Sequence, residues 1–109
     1  TASSGLTASR QIMPADLKAI RNAGFRSVIC NRPDGESSDQ PSFEVIAAAA
    51  RELGLEARYL PVEPNGIGDA DVAAFGVLVD TLPKPILAYC RSGNRAGMLW
   101  NRLMDQRKG

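Results

Sequence analysis

The sequence predicts an α/β domain built on a mostly parallel central sheet of about four strands with helices on both faces, and three observations carry that prediction. Short apolar runs alternate with segments of helical period along the whole chain. Glycine or proline punctuates the changes of period, at Gly24, Gly54 and the Pro83-Lys84-Pro85 stretch. The run Ile86–Tyr89 is apolar throughout, as in a strand covered on both faces. A chain of 109 residues, 44% apolar and 23% charged, suits one compact domain, 1–109, with a core of its own.

The elements follow in order. Leu6 to Ser9 reads as a short first strand. Pro14 suits the first turn of a helix that presents Met13, Leu17 and Ile20 on one face, with Gly24 just past its end. Ser27 to Cys30 reads as a buried strand, and Arg32 to Gln40 as a loop. Phe43, Ile46, Ala47, Ala50 and Leu53 keep helical spacing, and Gly54 ends that helix. Ala57 to Val62 reads as a third strand with Pro61 near its end. After a Pro/Gly-rich loop, Asp69 is a natural N-cap for a helix carrying Val72, Phe75, Val79 and Leu82 inward. Ile86 to Tyr89 is the fourth strand, and Ala96, Leu99, Trp100, Leu103 and Arg107 mark the last helix, with Met104 at the edge of its stripe. Met98, Trp100 and Met104 read as packing or a domain contact. Thr1 to Gly5 is small and polar, as in a frayed end. Asp105 to Gly109 closes a helix abruptly, which suggests one domain of a longer protein. Alternating strands and helices imply parallel crossovers, and such sheets gather their sites at the carboxyl ends of the strands.

Composition removes several classes of function. A net charge of +1 gives no bulk field for nucleic acid, and no run is long and apolar enough to span a membrane. No signal-peptide pattern is visible. There is no histidine, which removes Ser-His-Asp and Cys-His catalysis. Two cysteines without histidine rarely close a metal site, so neither a metal nor a cofactor is expected. Free thiols suit the cytoplasm.

One segment carries chemistry. Cys90-Arg91-Ser92-Gly93-Asn94-Arg95 follows a strand and opens a helix. The free N–H groups and dipole of that helix start favour an anion, so Cys90 is expected to act as a low-pKa nucleophilic thiolate. Gly93 permits a tight turn, the loop N–H groups through Ala96 form an anion nest, and Arg95 supplies a planar fork for an oxyanion. Arg91 and Asn94 are expected to point outward and shape the rim.

The Cys90–Arg95 loop looks like the active-site loop of rhodanese-type sulfurtransferases. Across nearly the whole chain, the pattern is similar to the phosphatase-like domain of bacterial beta-lactamase-hydrolase-like proteins. The marks of that likeness are Pro14-Ala15-Asp16-Leu17, Asn31-Arg32-Pro33-Asp34-Gly35-Glu36, Asp69-Ala70-Asp71-Val72 and the Cys90 loop. The resemblance implies a tyrosine-phosphatase-like fold and association with sulfide-oxidising enzymes, to which that family is often fused. Tyrosine phosphatases place five residues between cysteine and arginine, and this chain has four. The residue before the cysteine is Tyr89 rather than the usual phosphatase histidine, and the one after the arginine is Ala96 rather than a hydroxyl residue. On these grounds the preferred expectation is a sulfurtransferase that passes sulfur from thiosulfate or a persulfide to a thiol or cyanide through a Cys90 persulfide. The alternatives are a phosphatase that hydrolyses phosphate esters through a Cys90 phosphocysteine, and a sulfur-carrier module of a fused sulfide-oxidising enzyme.

Three further residues are weighed. Asp69, with Asp71 beside it, lies where tyrosine phosphatases carry their general acid, although an N-cap and a first-turn carboxylate account for both. Arg32 either attracts the anionic substrate or pairs with Asp34 as a solvated loop residue. Cys30 is a core strand residue, with a second reading as a resolving thiol for Cys90.

Overall fold

A computed structural model describes residues 5–108; Thr1 to Ser4 and Gly109, on which the frayed-end and chain-end readings fall in part, lie outside the described residues. The elements are β1 (Leu6–Ser9), a 3₁₀ turn (Pro14–Asp16), α1 (Leu17–Asn22), β2 (Ser27–Cys30), α2 (Phe43–Glu52), β3 (Glu56–Tyr59), α3 (Asp69–Thr81), β4 (Ile86–Tyr89) and α4 (Asn94–Lys108). The strands form one sheet in the order β1-β4-β2-β3, with every pairing parallel.

Period-two alternation splits the core into two layers. Ile29 on β2 and Ile86 and Ala88 on β4 face α3 and α4, where they meet Val72, Phe75, Val79, Leu99 and Leu103. Val28, Cys30, Leu87 and Tyr89 face the other way, against Leu17, Ile46, Ala47 and Ala50 of α1 and α2. Helices therefore cover both faces. Trp100 and Met104 pack against the first layer, whereas Met98 is exposed.

Several boundaries differ from the sequence reading. β3 covers Glu56–Tyr59 rather than Ala57–Val62. Leu60 and Val62 still donate to the carbonyls of Cys30 and Asn31, but Pro61 between them has no N–H to give. The N-cap of α3 is Gly68, not Asp69, and Asp71 accepts the Gly68 N–H at 2.9 Å. Met13 does not join Leu17 in the core but stands exposed ahead of the 3₁₀ turn. Helix α4 starts at Asn94, which places Arg95 in its first turn.

Candidate active site

The carboxyl ends of β4 and β2 lie side by side, with Tyr89 in register with Cys30. The next pair along is therefore Cys90 and Asn31, on the sheet face that meets α3 and α4. Cys90 donates its N–H to Ser9 O, and Gln11 donates to Arg91 O, both at 3.2 Å, so the segment after β1 clamps the start of the loop. Gly93 N–H donates to Cys90 Sγ at 3.1 Å. Gly93 has φ +97°, and a Cβ there would meet the Ser9 backbone at 3.4 Å, so both conformation and space call for glycine. The N–H groups of Arg91, Ser92, Arg95 and Ala96 have no protein acceptor among the described residues. Cys90 is buried, Arg91, Ser92 and Asn94 are exposed at the rim, and Ala96 belongs to the core.

Arg95 is 8% exposed and firmly held. Its Nη1 and Nη2 donate to the two Glu36 carboxylate oxygens at 2.8 Å each, and Nη1 also donates to Val62 O at 3.0 Å. These bonds use the end of the guanidinium and leave Nε–H and the outer Nη2–H as a parallel pair, a geometry that suits an oxyanion. Hydrogen bonding to Glu36, followed by the Glu36 charge, raises the Arg95 pKa above its ordinary value against the opposing effect of burial. In return, Arg95 first and Arg32 second hold Glu36 below the usual carboxylate range.

Arg32 contradicts the picture of a solvated loop arginine paired with Asp34. It is 4% exposed, and it donates from Nε to Glu36 and from Nη1 to Gln11 Oε1, each at 3.0 Å. Asp34 instead accepts the first N–H of α2, from Phe43 at 2.8 Å, and its own N–H donates to Tyr59 Oη. Gln40 ties down the rest of the loop by donating to Pro33 O. These bonds fix the Asn31–Glu36 turn so that one carboxylate reaches two buried arginines. Glu36 stands within this run with no role legible from the sequence. The available signal was a carboxylate four residues after Arg32, at the carboxyl end of a strand.

Asn31 is fully buried and donates to Leu60 O at 2.9 Å, while its Oδ1 has no partner among the described residues. Cys30 points with Tyr89 into the α1/α2 layer and donates from Sγ to Arg32 O at 3.2 Å. Burial pushes its thiol upward, and that face is opposite Cys90, so the sheet separates the two thiols rather than pairing them. The same alternation explains Tyr89: a non-histidine residue there concerns the core and not the loop. Asp69 is exposed at the start of α3 and accepts from Arg102 Nη2 at 2.8 Å.

A parallel sheet whose central strand ends in a cysteine, a glycine turn and a helix-borne arginine defines a tyrosine-phosphatase-like α/β domain. The chain belongs to the family described as "Beta-lactamase hydrolase-like protein, phosphatase-like domain", whose profile matches residues 1–106. It is 43% identical over 77 residues to a beta-lactamase hydrolase-like protein of Xylella fastidiosa, covering 71% of this chain and 18% of that protein. A protein of the same description from Agrobacterium fabrum is 36% identical over 95 residues, covering 87% of this chain and 22% of the relative. The chain thus spans about a fifth of the curated relatives it matches. Among solved structures, a candidate phosphatase from Neisseria meningitidis Z2491 superposes with a TM-score of 0.83 at 37% identity, covering 88% of this chain and 68% of that one. P. aeruginosa TpbA, solved as a cysteine-to-serine variant with phosphotyrosine, shares the fold, with a TM-score of 0.65 at 16% identity over 86% of this chain and 54% of its own.

These likenesses overturn the preference for a sulfurtransferase. That preference rested on the four-residue gap between Cys90 and Arg95, and on Tyr89 and Ala96 in place of the usual phosphatase residues. The family match covers residues 1–106 and the Neisseria structure 88% of the chain, and both point to phosphatases. A shorter loop removes one donor but keeps the Arg95 fork and the open N–H groups. Among the described residues, no helix is long and apolar enough to cross a membrane.

Proposed function

We propose that the domain hydrolyses phosphate monoesters through a phosphocysteine on Cys90. The observation that carries the reading is the Arg95 guanidinium, buried in the first turn of the helix that follows Cys90 and clamped end-on by Glu36, which leaves its Nε–H and one Nη2–H uncommitted. The phosphoryl group sits on the N–H groups from Arg91 to Ala96 and on Arg95 Nε and Nη2. Cys90 Sγ attacks phosphorus, the S–P bond forms, the P–O ester bond breaks, and the departing oxygen takes a proton. Water then cleaves the S–P bond, releasing inorganic phosphate and restoring the thiolate. The loop N–H groups and Arg95 hold the equatorial oxygens through both steps, a preorganised electrostatic contribution. Ser92 and Asn94 shape the mouth, and Arg32 keeps the surroundings positive.

The leaving-group proton calls for a donor, and Asp69 is the residue to test for it. It stands at the head of the helix that leads into β4, tied to Arg102. The free thiols suit a reducing, cytoplasmic setting. The small share of the relatives' length points to a domain that works joined to another.

The test is turnover of p-nitrophenyl phosphate and of an alkyl phosphate by the protein and by Cys90→Ser. Aryl phosphate hydrolysis that Cys90→Ser abolishes supports the reading, and no hydrolysis of either ester by the native protein overturns it. Asp69→Asn then reports on the proton: a larger loss on the alkyl ester than on the nitrophenyl ester assigns it to Asp69, and equal rates remove the role.

A further inference from the structure

A second recessed surface adjoins the loop. A cleft of about 430 Å³ lies between the segment after β1 and the loop after β2, and its walls include Arg10, Gln11, Arg32, Gln40 and Arg91. Three cations therefore face one hollow. Two carboxylates, Asp16 and Asp39, oppose them and leave one cation in excess: Asp16 accepts the Met13 N–H at 2.8 Å, and Asp39 accepts from Ser37 Oγ at 2.5 Å while the charges of Arg32 and Arg91 also favour its ionised form. Arg32 is the informative member. Only 4% of it is exposed, and its Nη2 has no hydrogen-bond partner among the described residues. Its nearest counter-charge, Glu36, is shared with Arg95 through the same oxygen, so one carboxylate balances two buried guanidiniums.

The cleft and the phosphate cradle are physically joined. Arg91 lines the cleft and directly follows Cys90, while Glu36 Oε1 touches Arg32 Nε at 3.0 Å and Arg95 Nη2 at 2.8 Å. The volume falls within the ~300–1,000 Å³ of ordinary small-molecule sites and exceeds what one phosphoryl group needs.

We propose that this cleft binds a second anionic group of the substrate, so that the preferred substrates are small phosphate esters carrying another carboxylate or phosphate. The assignment rests on the phosphatase reading for the position of the first phosphate, and it makes Arg91 and Arg10 the determinants of specificity. A second anion here neutralises the excess cation and engages the remaining Arg32 donors through charge-assisted hydrogen bonds.

The experiment uses ligands that cannot turn over. Phenylphosphonate and its 2-, 3- and 4-carboxy derivatives are titrated calorimetrically into the native protein, Arg91→Ala and Arg10→Ala, alongside the nitrophenyl phosphate assay. The expected result is that at least one carboxy isomer binds about tenfold tighter than phenylphosphonate. That ratio should fall toward one in Arg91→Ala and shrink in Arg10→Ala. Both arginines are exposed, so melting curves that match the native protein's confirm that the variants fold. A ratio near one in the native protein, a ratio untouched by either substitution, or no binding of any phosphonate overturns the cleft assignment. A ratio that behaves as expected without ester hydrolysis upholds the cleft and overturns the phosphatase reading alone.

Discussion

At the scale of single residues, Glu36 organises the site more than any residue apart from Cys90 and Arg95. It joins the loop after β2 to the first turn of α4, its partner lying 59 positions further along the chain. Glu36→Gln keeps the size and one acceptor but turns an amide N–H toward a guanidinium. The expected outcome is a loss of about 10- to 100-fold in kcat/KM on aryl phosphate, because Arg95 no longer holds its side edge toward the cradle. Steady-state kinetics check this, and a variant within twofold of the native protein refutes it. The loop around Cys90 was legible because its glycine, helix start and arginine follow it directly in the chain. Glu36 was not, because nothing local says which distant cation a loop carboxylate will meet. The same reason hid the partners of Arg32, which are Gln11 and Glu36 rather than its neighbour Asp34.

At the scale of elements, the head of α3 shows how one acidic pair divides its labour. Asp71 accepts the Gly68 N–H and sits in the first turn, where a negative charge complements the helix dipole. Asp71→Ala is expected to cost about 1 kcal/mol, by analogy with lost helix caps. Thermal unfolding should show this as a drop of about 4–8 °C in Tm, with nitrophenyl phosphate turnover at 25 °C kept. An unchanged Tm would show that the cap contributes nothing. Helix and strand existence were legible throughout, because apolar spacing and the glycines at their ends are local signals. Boundaries were less so. β3 ends before Pro61, and α4 begins two residues before its first core residue, because hydrogen-bond donors and loop clamps set the ends rather than hydrophobicity.

At the scale of the whole molecule, stability and the site draw on the same charges. Glu36 has a lowered pKa in the fold, so its contribution is complete above the unfolded carboxylate value near 4.5 and is lost as pH falls through the folded value. Acid titration of Tm should therefore show a loss beginning below about pH 4.5. Glu36→Gln should flatten that part of the curve, and parallel curves for the two proteins would exclude Glu36 as its source. The parallel α/β architecture followed from alternation alone, since parallel neighbours require crossovers. The strand order β1-β4-β2-β3 lay beyond a linear reading, and it is this order that puts Cys90 between the ends of β1 and β2.

The complete burial of Cys90 carries a practical consequence. Cys30 is buried as well, so a bulky maleimide has no ready target on the native protein. The pace at which such a reagent labels Cys90 becomes a gauge of how far the mouth of the site admits a bulky group. Saturating phosphate should slow that labelling, whereas the labelling of Cys30, deep in the other layer, should follow only global unfolding.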